Sequence, residues 1–279
     1  MTNFEVLKQV ENELKVITED YVFDSWCLFS EVFQLNKTQY ILNKNETADE
    51  KLIKKLFELT EERKKGQPLQ YLLGKWYFLD NEFYVGKGVL IPRADTECLV
   101  EEVARYIQNN DVKIVYDLCS GSGCIGISLA KMFEKITVYL VEKSSQALKY
   151  LEKNVVLNGV NNVKIISGDI FDGCKKMGLI SCDVIVSNPP YIRSDEIKTL
   201  QQEVKNEPIT ALDGGKDGLV FYRELKNWFD EIDNCKFIAM ECAEDQAEDI
   251  KSIFNDYKQI SYVYDLNNIK RDVCVKKRR

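Results

Sequence analysis

The apolar residues in the first quarter of the chain recur every three or four positions, which is the spacing of helices with one buried face. A capping-box signature at residues 2–5 begins the first of these runs, and a similar signature at residues 47–50 begins another. The second run closes on a cluster of cations and Gly66, as helix C-termini favour. The first apolar stripe consists of Phe4, Leu7, Val10, Leu14 and Ile17. This pattern predicts a small helical bundle over residues 1–70.

The pattern changes at residues 75–85, where two short aromatic stretches flank Asp80 and Asn81. Such an arrangement is typical of a β-hairpin, and we expect residues 71–91 to link the bundle to the remainder of the chain. Beyond Val112, strand-like runs rich in β-branched residues alternate with helical runs to the end of the chain. This alternation indicates a parallel α/β sheet over residues 92–279.

One strand-like run, residues 182–186, is followed by the sequence Asn188-Pro189-Pro190-Tyr191. Ligands of open α/β sheets bind where the strands end, so these four residues are expected at a binding site. Asn188 offers a carboxamide oxygen, the prolines offer carbonyls on a stiff backbone, and Tyr191 offers a flat aromatic face. A planar –NH₂ group fits such a turn, because its two N–H bonds could go to the Asn188 oxygen and the Pro189 carbonyl. Taken alone, the sequence is also consistent with a turn that merely ends the strand.

A glycine-rich turn follows the first strand-like run of the sheet. It consists of Cys119, Ser120, Gly121, Ser122 and Gly123. Glycines there let the backbone approach a ligand closely, and with Gly126 the pattern is that of a dinucleotide fingerprint, so a nicotinamide cofactor remains open. Glu142 ends the next strand, where a carboxylate can accept ribose hydroxyls. Asp169 and Ile170, at the third strand end, are expected to bracket an adenine.

Composition narrows the classes of function. The 279 residues, 45% hydrophobic and 30% charged, suit one large or two modest domains. The chain has no histidine, and its nine cysteines form no Cys-x-x-Cys pair, so we expect no metal site and no histidine-based chemistry. The net charge of −7 argues against a protein that mainly grips nucleic acid. No signal peptide and no apolar run of about 18 residues is present, so we expect a cytoplasmic protein.

Five segments in combination resemble the family of protein-(glutamine-N5) methyltransferases that modify peptide-chain release factors, the HemK/PrmC-like proteins. They are residues 66–74, 91–97, 117–123, 188–191 and 206–219. The last segment is dense in glycine and proline, and long ordered loops of this kind are often functional. The resemblance covers the chain from Gly66 to its end, and the helical N-terminus matches only in kind.

The resemblance implies a class I, Rossmann-like α/β fold with a seven-stranded, mostly parallel sheet behind an N-terminal helical domain that orients the substrate. It implies methyl transfer from S-adenosylmethionine to the side-chain amide of the glutamine in the Gly-Gly-Gln motif of release factors, leaving S-adenosylhomocysteine. We therefore expect release factors as partners, a monomeric enzyme, and no direct contact with membrane or nucleic acid.

The resemblance also assigns roles to residues. The cofactor-binding residues would be Cys119, Ser120, Gly121, Ser122 and Gly123 along the methionine part, Glu142 at the ribose, Asp169 and Ile170 at the adenine, and Asn188 near the reaction centre. The substrate amide would bind Asn188, Pro189, Pro190 and Tyr191, with Asn188, Pro189 and Tyr191 as the catalytic residues.

Three positions depart from the family's usual pattern. Cys119 stands where glycine is usual, Ala94 replaces a common proline, and Ile170 stands where an aromatic residue can stack on adenine. Residues 241–246 also lack a glycine often found in that segment. These differences bear on cofactor affinity rather than on the type of reaction.

Other functions share part of this pattern. Asn-Pro-Pro-Tyr also occurs in methyltransferases that act on exocyclic amines of nucleic-acid bases, and a ribosomal-protein glutamine is a closer rival substrate. From a different class, the chain could be a nicotinamide-dependent oxidoreductase or a catalytically silent nucleotide-binding module. The oxidoreductase would leave the Asn-Pro-Pro-Tyr turn unexplained, whereas the silent module predicts that Asn188→Ala changes only stability.

Overall fold

The computed structural model describes residues 1–265 and 268–277. Its contacts divide the chain into two compact units. The first comprises Met1–Lys75 together with Gln201–Asn206, and the second comprises Trp76–Leu200 together with the described residues from Glu207 onward.

The first unit is built from helices. They are α1 (Asn3–Leu14), α2 (Tyr21–Phe33), α3 (Lys37–Asn43), α4 (Glu50–Lys64) and α5 (Leu69–Leu73). The predicted capping box at α1 is confirmed, because Thr2 and Glu5 cap each other's backbone. The predicted start of α4 is wrong by two residues, since the capping side chain belongs to Asp49 rather than Thr47.

The predicted apolar stripe of α1 is wrong at both ends. Phe4 is 44% exposed, and Ile17, which lies beyond the end of the helix, is 41% exposed. Val6 is buried in their place, beside Leu7, Val10 and Leu14. The helix therefore turns a slightly different face inward than the spacing alone indicates.

A buried arginine organises the first unit. Arg63 Nε donates to Asp24 Oδ2 at 2.8 Å, and Arg63 Nη2 lies 2.7 Å from Glu203 Oε1. Burial raises the pKa of Asp24, while the Arg63 hydrogen bond and charge oppose that rise. Asn206 Nδ2 also donates to Gly66 O at 2.7 Å. These bonds explain why Gln201–Asn206, distant in sequence, belongs to this unit.

The predicted hairpin is confirmed as strands β1 (Lys75–Phe78) and β2 (Asn81–Tyr84). Two of its aromatic residues are part of the second unit's core, since Phe78 is 1% and Phe83 0% exposed, whereas Tyr77 is exposed. Asn154 holds β2 by accepting from Tyr84 N at 2.6 Å and donating to Tyr84 O at 3.1 Å.

The second unit contains the predicted seven-stranded sheet, in the order β5-β4-β3-β6-β7-β9-β8. Its strands are β3 (Ile114–Leu118), β4 (Thr137–Glu142), β5 (Val163–Ser167), β6 (Val184–Ser187), β7 (Phe237–Glu241), β8 (Gln259–Tyr264) and β9 (Lys270–Lys276). The five strands from β5 to β7 run parallel, while β9 pairs antiparallel with both β7 and β8. The sheet is thus mostly parallel, as expected.

Helices cover both faces of this sheet. They are α6 (Asp95–Gln108), α7 (Cys124–Met132), α8 (Ser145–Asn158), α9 (Val220–Glu231) and α10 (Ala247–Ile253). Successive strand residues point to opposite faces, so Val115 packs with α6, α7 and α8 while Tyr116 packs with α9 and α10. The parallel strands all end at one edge, and the connecting segments there form the site. Within the described residues, no helix has the length and apolarity needed to span a membrane.

Candidate active site

The carboxyl ends of β3, β4, β5 and β6 surround a cavity of about 430 Å³ within the second unit. All but one of the predicted cofactor residues line it: Cys119, Ser120, Gly121, Ser122, Glu142, Asp169, Ile170 and Asn188. Pro190 lines it as well, whereas Gly123, Pro189 and Tyr191 lie outside the lining. Residues from four separate strand ends therefore meet at one cavity.

The glycine-rich turn between β3 and α7 has an unusual backbone. Cys119, Gly121 and Gly123 have positive φ angles of 65°, 56° and 83°. A side chain at Gly126 would bring its Cβ to 2.2 Å from Leu140 Cδ2, so this third glycine allows α7 to pack against the sheet. The Gly-x-Gly-x-x-Gly pattern therefore provides the turn geometry and allows the helix to pack. It does not by itself indicate a nicotinamide cofactor.

Asp117 lies two residues before Cys119 and is fully buried. Its Oδ2 accepts the Gly126 N–H at 2.9 Å, and its Oδ1 has no hydrogen-bond partner among the described residues. Burial, opposed by the Gly126 bond, raises the pKa of Asp117 to about 8. The turn thus rests on an acceptor that is only half satisfied.

Glu142, the last residue of β4, is held by backbone on both sides. Its Oε2 accepts from Gly121 N at 2.8 Å, and its Oε1 accepts from Ser144 N at 2.7 Å. Each carboxylate oxygen has a second lone pair, so hydroxyl groups in the cavity could still donate to it. The carboxylate is therefore a preoriented acceptor for a sugar.

Asp169 and Ile170 both line the cavity, but the Asp169 side chain forms polar contacts while the Ile170 side chain is buried. Asp169 accepts from Phe171 N at 3.1 Å and pairs with Lys143 Nζ at 2.8 Å, while the Ile170 side chain is only 3% exposed. Phe221, which also lines the cavity, packs edge-on against Phe171 with ring centroids 5.1 Å apart. Aromatic surface is thus present beside Ile170, although it comes from α9.

The Asn-Pro-Pro-Tyr turn leaves β6 with its side chains anchored. Asn188 Nδ2 donates to Thr96 Oγ1 at 3.1 Å, and the Tyr191 hydroxyl donates to Glu241 Oε1 at 3.4 Å. Tyr191 O accepts from Gln246 Nε2 at 2.8 Å, and both prolines are buried. In the part of the chain that the structure describes, neither Asn188 Oδ1 nor the Pro189 carbonyl accepts a hydrogen bond. Two acceptors are therefore left for a donor from outside.

Two buried carboxyl groups lie behind this turn. Glu241, the last residue of β7, is 3% exposed and pairs in register with Asp272 of β9, which is fully buried. Glu241 Oε2 and both Asp272 oxygens have no hydrogen-bond partner among the described residues. Burial is the main cause that raises the pKa of Glu241 to about 7 and that of Asp272 to about 9. Around neutral pH, this pair carries fewer charges than two free carboxylates.

The loop of residues 206–219 packs on the Asn-Pro-Pro-Tyr turn through backbone. Ile192 N donates to Leu212 O at 2.9 Å, and Gly214 N donates to Ile192 O at 2.8 Å. A Cβ on Gly214 would lie 2.8 Å from both Pro190 O and Tyr191 Cα. Only glycine fits there, so the close approach of loop and turn is built into the sequence.

Glu207 fastens the start of the same loop to the cavity wall. Its buried side chain accepts from Ile91 N at 3.0 Å and forms an ion pair with Arg93. This bond joins two of the segments that carry the family resemblance, residues 91–97 and 206–219. Pro92 and Arg93 line the cavity, as do Pro208, Thr210 and Ala211.

Several lining residues were not predicted as site residues, namely Thr96, Phe221, residues 88–93 and residues 143–147. Thr96 could have been found, because it lies in a segment that the resemblance singled out, residues 91–97. Phe221 gives no such signal, since it begins an ordinary amphipathic helix. Among residues 1–265 and 268–277, no group of three or more Cys, Asp or Glu side chains is arranged to hold a metal ion.

The arrangement can do one chemical task well. It can hold a sugar-bearing cofactor along Gly121 and Glu142 and, at the same cavity, a planar –NH₂ group through the unpaired Asn188 oxygen. Bringing two reactants together in this way converts a bimolecular step into a nearly unimolecular one.

Comparison with known proteins agrees with this geometry. A family model described as PrmC N-terminal domain matches residues 5–74, and one described as Methyltransferase small domain matches residues 94–229. The chain is 38% identical over 253 residues to the release factor glutamine methyltransferase of Thermodesulfovibrio yellowstonii, covering 88% of this chain and 89% of that protein. It is 39% identical over 256 residues to that of Clostridium acetobutylicum, covering 91% and 87%.

Solved structures support the fold. The catalytic domain of hMettl16, solved in complex with a MAT2A 3′UTR hairpin, superposes with a TM-score of 0.55 and covers 83% of each chain at 12% sequence identity. At that identity, the likeness concerns the class I methyltransferase fold alone.

Proposed function

Because this chain belongs to the release factor glutamine methyltransferase family, we propose that it transfers a methyl group from S-adenosylmethionine to the side-chain amide nitrogen of the Gly-Gly-Gln glutamine in peptide-chain release factors. The observation that carries the proposal is Asn188: it lines the same cavity as Glu142, and its Oδ1 accepts no hydrogen bond within the described chain. The reaction needs such an acceptor beside a cofactor site.

The cavity fits S-adenosylmethionine by the chemistry of its donors and acceptors. We assign the ribose hydroxyls to Glu142, the methionine part to residues 119–123, and the adenine to Asp169 and Ile170. Phe221 adds the aromatic surface that Ile170 lacks, since it lines the same cavity. When bound, the cofactor supplies an electrophilic methyl group on a sulfonium.

The protein's contribution is to orient a poor nucleophile. An amide nitrogen is unreactive because its lone pair is delocalised into the carbonyl. In our assignment, Asn188 Oδ1 and the Pro189 carbonyl accept both N–H bonds of the glutamine, which turns the nitrogen toward the methyl group and stabilises the positive charge that develops on it. Pro190 lines the cavity beside the amide, and Tyr191, whose hydroxyl donates to Glu241, supports the turn from behind. The methylated nitrogen then loses its proton to water, so no histidine is required.

We also propose a division of labour along the chain. The helical domain of residues 1–70 orients the release factor, and the catalytic domain of residues 92–279 carries out methyl transfer. The hairpin segment of residues 71–91 links these two domains. The match of residues 5–74 to the PrmC N-terminal domain supports this division. We propose that the enzyme acts as a monomer in the cytoplasm, where release factors work, and that it binds no nucleic acid directly.

Mass spectrometry of the Gly-Gly-Gln peptide tests the proposal directly. Purified protein is incubated with S-adenosylmethionine and an unmethylated release factor, in parallel with Asn188→Ala and a matched control, Asn227→Ala. Asn227 is an exposed asparagine of α9 whose side-chain amide donates to Glu224 Oε2 at 3.0 Å. We expect a 14-dalton gain on the glutamine amide with wild type and Asn227→Ala, and a rate about 10²–10³-fold lower with Asn188→Ala.

Two outcomes would contradict the proposal in different ways. If the release factor stays unmodified while the protein binds S-adenosylhomocysteine, the substrate assignment is wrong, and ribosomal proteins and nucleic acids are assayed next. If Asn188→Ala matches wild type, the role of the Asn-Pro-Pro-Tyr turn is wrong. A release factor with glutamate in place of the glutamine should stay unmethylated, which would confirm that the methyl group is on that residue.

A further inference from the structure

The Asn188 carboxamide has two nearly isosteric orientations, and only one of them is productive. When the carboxamide oxygen points toward the cavity, it can accept a hydrogen bond from a substrate –NH₂. When the carboxamide nitrogen points there, two donors face each other and no hydrogen bond forms. The turn itself does not decide between the two, because proline offers no donor. The groups behind Asn188 must make the choice.

Those groups are Thr96 and Glu241, which are both buried behind the turn. Asn188 Nδ2 donates to Thr96 Oγ1 at 3.1 Å. A threonine hydroxyl that accepts one bond has its own proton left to donate. The Glu241 carboxylate lies close by, because Thr96, Asn188 and Tyr191 all lower its pKa as hydrogen-bonding neighbours, and the Tyr191 hydroxyl donates to Glu241 Oε1 at 3.4 Å. The Asn188–Thr96 bond therefore lies beside a carboxylate toward which the Thr96 proton can turn.

We propose that Glu241 and Thr96 are positioning residues that hold the Asn188 oxygen toward the substrate amide. An ionised carboxylate can only accept, so it requires the Thr96 proton, and Thr96 must then accept from Asn188 Nδ2. A protonated Glu241 could donate to Thr96 instead, and the Thr96 proton would then attract the Asn188 oxygen away from the cavity. The inference rests on the proposed function for its kinetic test only.

The surroundings of Glu241 make this direction sensitive to pH. Burial, with a contribution from the charge of Asp95, raises its pKa to about 7, while hydrogen bonds from Thr96, Asn188 and Tyr191 oppose that rise. The titratable groups facing it from neighbouring elements are Asp272 of β9, Asp95 of α6, Tyr222 of α9, Cys124 of α7 and Cys242 after β7. Arg271, the nearest cation of β9, is paired with Asp95 and Asp265.

The kinetic test follows kcat with pH in wild type, Glu241→Gln, Thr96→Val and Thr96→Ser. We expect wild-type kcat to fall as pH drops below about 7, where Glu241 takes up a proton. Glu241→Gln, whose amide can donate to Thr96, should have a kcat about 10- to 100-fold lower and without this pH limb. Thr96→Val should be similarly slow, and Thr96→Ser, which restores the hydroxyl, should recover most of the activity. The dissociation constant for S-adenosylhomocysteine should stay unchanged in all four proteins.

A structural measurement tests the inference without any substrate. The side-chain amide protons of Asn188, assigned by their loss in Asn188→Asp, are followed by NMR in the S-adenosylhomocysteine complex. We expect them to titrate with Glu241 in wild type and to lose that titration in Glu241→Gln.

The outcomes separate the two proposals. If wild type methylates the release factor and both Glu241→Gln and Thr96→Val match it at every pH, the positioning role is wrong and the function stands. If wild type leaves the release factor unmodified, the function is wrong and the NMR titration decides the positioning role. A flat NMR profile in wild type overturns that role in either case.

Discussion

Glu142 and Glu241 each end a strand of the same sheet, yet they are held in opposite ways. Both oxygens of Glu142 accept backbone N–H groups, at 2.7 and 2.8 Å, and its side chain lines the cavity. Glu241 is 3% exposed, and one of its oxygens has no partner among the described residues. It pairs in register with Asp272, whose two oxygens both lack a partner there. One carboxyl group is fixed by the main chain, and the other is surrounded by side chains.

This difference separates two tasks. Backbone donors cannot rotate away as side chains can, so the main chain fixes the orientation of the Glu142 acceptor. Side-chain donors and burial leave the charge of Glu241 dependent on pH near neutrality. We therefore expect changes on the Glu142 side to alter cofactor binding and changes on the Glu241 side to alter turnover.

Among the variants that test this comparison, the largest effect is expected from Glu142→Gln. The new amide would place a donor against the Gly121 or the Ser144 N–H, and the loss of a charged acceptor should weaken S-adenosylhomocysteine binding about 10- to 100-fold. At saturating cofactor, kcat should remain within about threefold of wild type. Calorimetry and steady-state kinetics measure the two effects, with the exposed Glu152→Gln as the matched control. If Glu142→Gln lowers only kcat and leaves cofactor binding unchanged, the distinction between the roles of Glu142 and Glu241 is wrong.

Gly214→Ala should have the opposite signature. Its Cβ would collide with Pro190 O and Tyr191 Cα, both backbone atoms, so the loop must move away from the turn. We expect kcat to fall about tenfold or more with cofactor affinity preserved, as for the loss of one positioned contact. Gly178→Ala is the control, because Gly178 has no atom within 4 Å of its Cβ and only its positive φ of 70° opposes a side chain. It should lose about 1 kcal/mol of stability and no turnover.

Asp272→Asn should change how stability depends on pH. Burial raises the pKa of Asp272 from 3.8 to about 9 in the folded protein. Between those values the folded state holds a proton that the unfolded chain releases, so wild-type stability falls as pH rises through this window. The variant should lose that slope and have the higher melting temperature at pH 9, by about 2–4 °C per kcal/mol. Thermal unfolding at several pH values tests this, and Asp233→Asn, at an exposed position, should keep the wild-type slope.

The smallest effect is expected from Cys119→Gly. Cys119 has a φ of 65°, a left-handed conformation that costs a residue with a Cβ about 1–2 kcal/mol. Glycine should therefore raise the melting temperature by a few degrees and strengthen cofactor binding by no more than a few fold. Cys119→Ala keeps the Cβ and should gain nothing. An equal gain in both variants would mean that the thiol, rather than the backbone, is the source of strain.

Much of the fold could be predicted because its signals are local. The capping box of α1, the aromatic hairpin and the alternation of strands and helices depend on residues close in sequence. Errors arose where burial decides between equivalent local choices. Asp49 rather than Thr47 caps α4, and Val6 rather than Phe4 faces the core of the first unit.

The residues of the candidate site likewise fall into those that the sequence could predict and those that it could not. Asn188 and Glu142 could be singled out because each follows a recognisable strand. Thr96 and Glu241 could not be connected to them, since the bonds from Asn188 to Thr96 and from Tyr191 to Glu241 join three distant segments of the chain. A hydrogen-bond network assembled by tertiary packing leaves no periodic pattern in the sequence.

The return of Gln201–Asn206 to the first unit bears on how the protein is made. A ribosome releases Arg63 and Asp24 long before Glu203, so the ion pair between Arg63 and Glu203 forms only after most of the polypeptide has been synthesised. Until then, the nascent N-terminal helices lack a segment that completes them. Because synthesis runs from the N-terminus, the first unit cannot complete its folding until much of the second unit has been synthesised. Folding of the two units is therefore coupled in time.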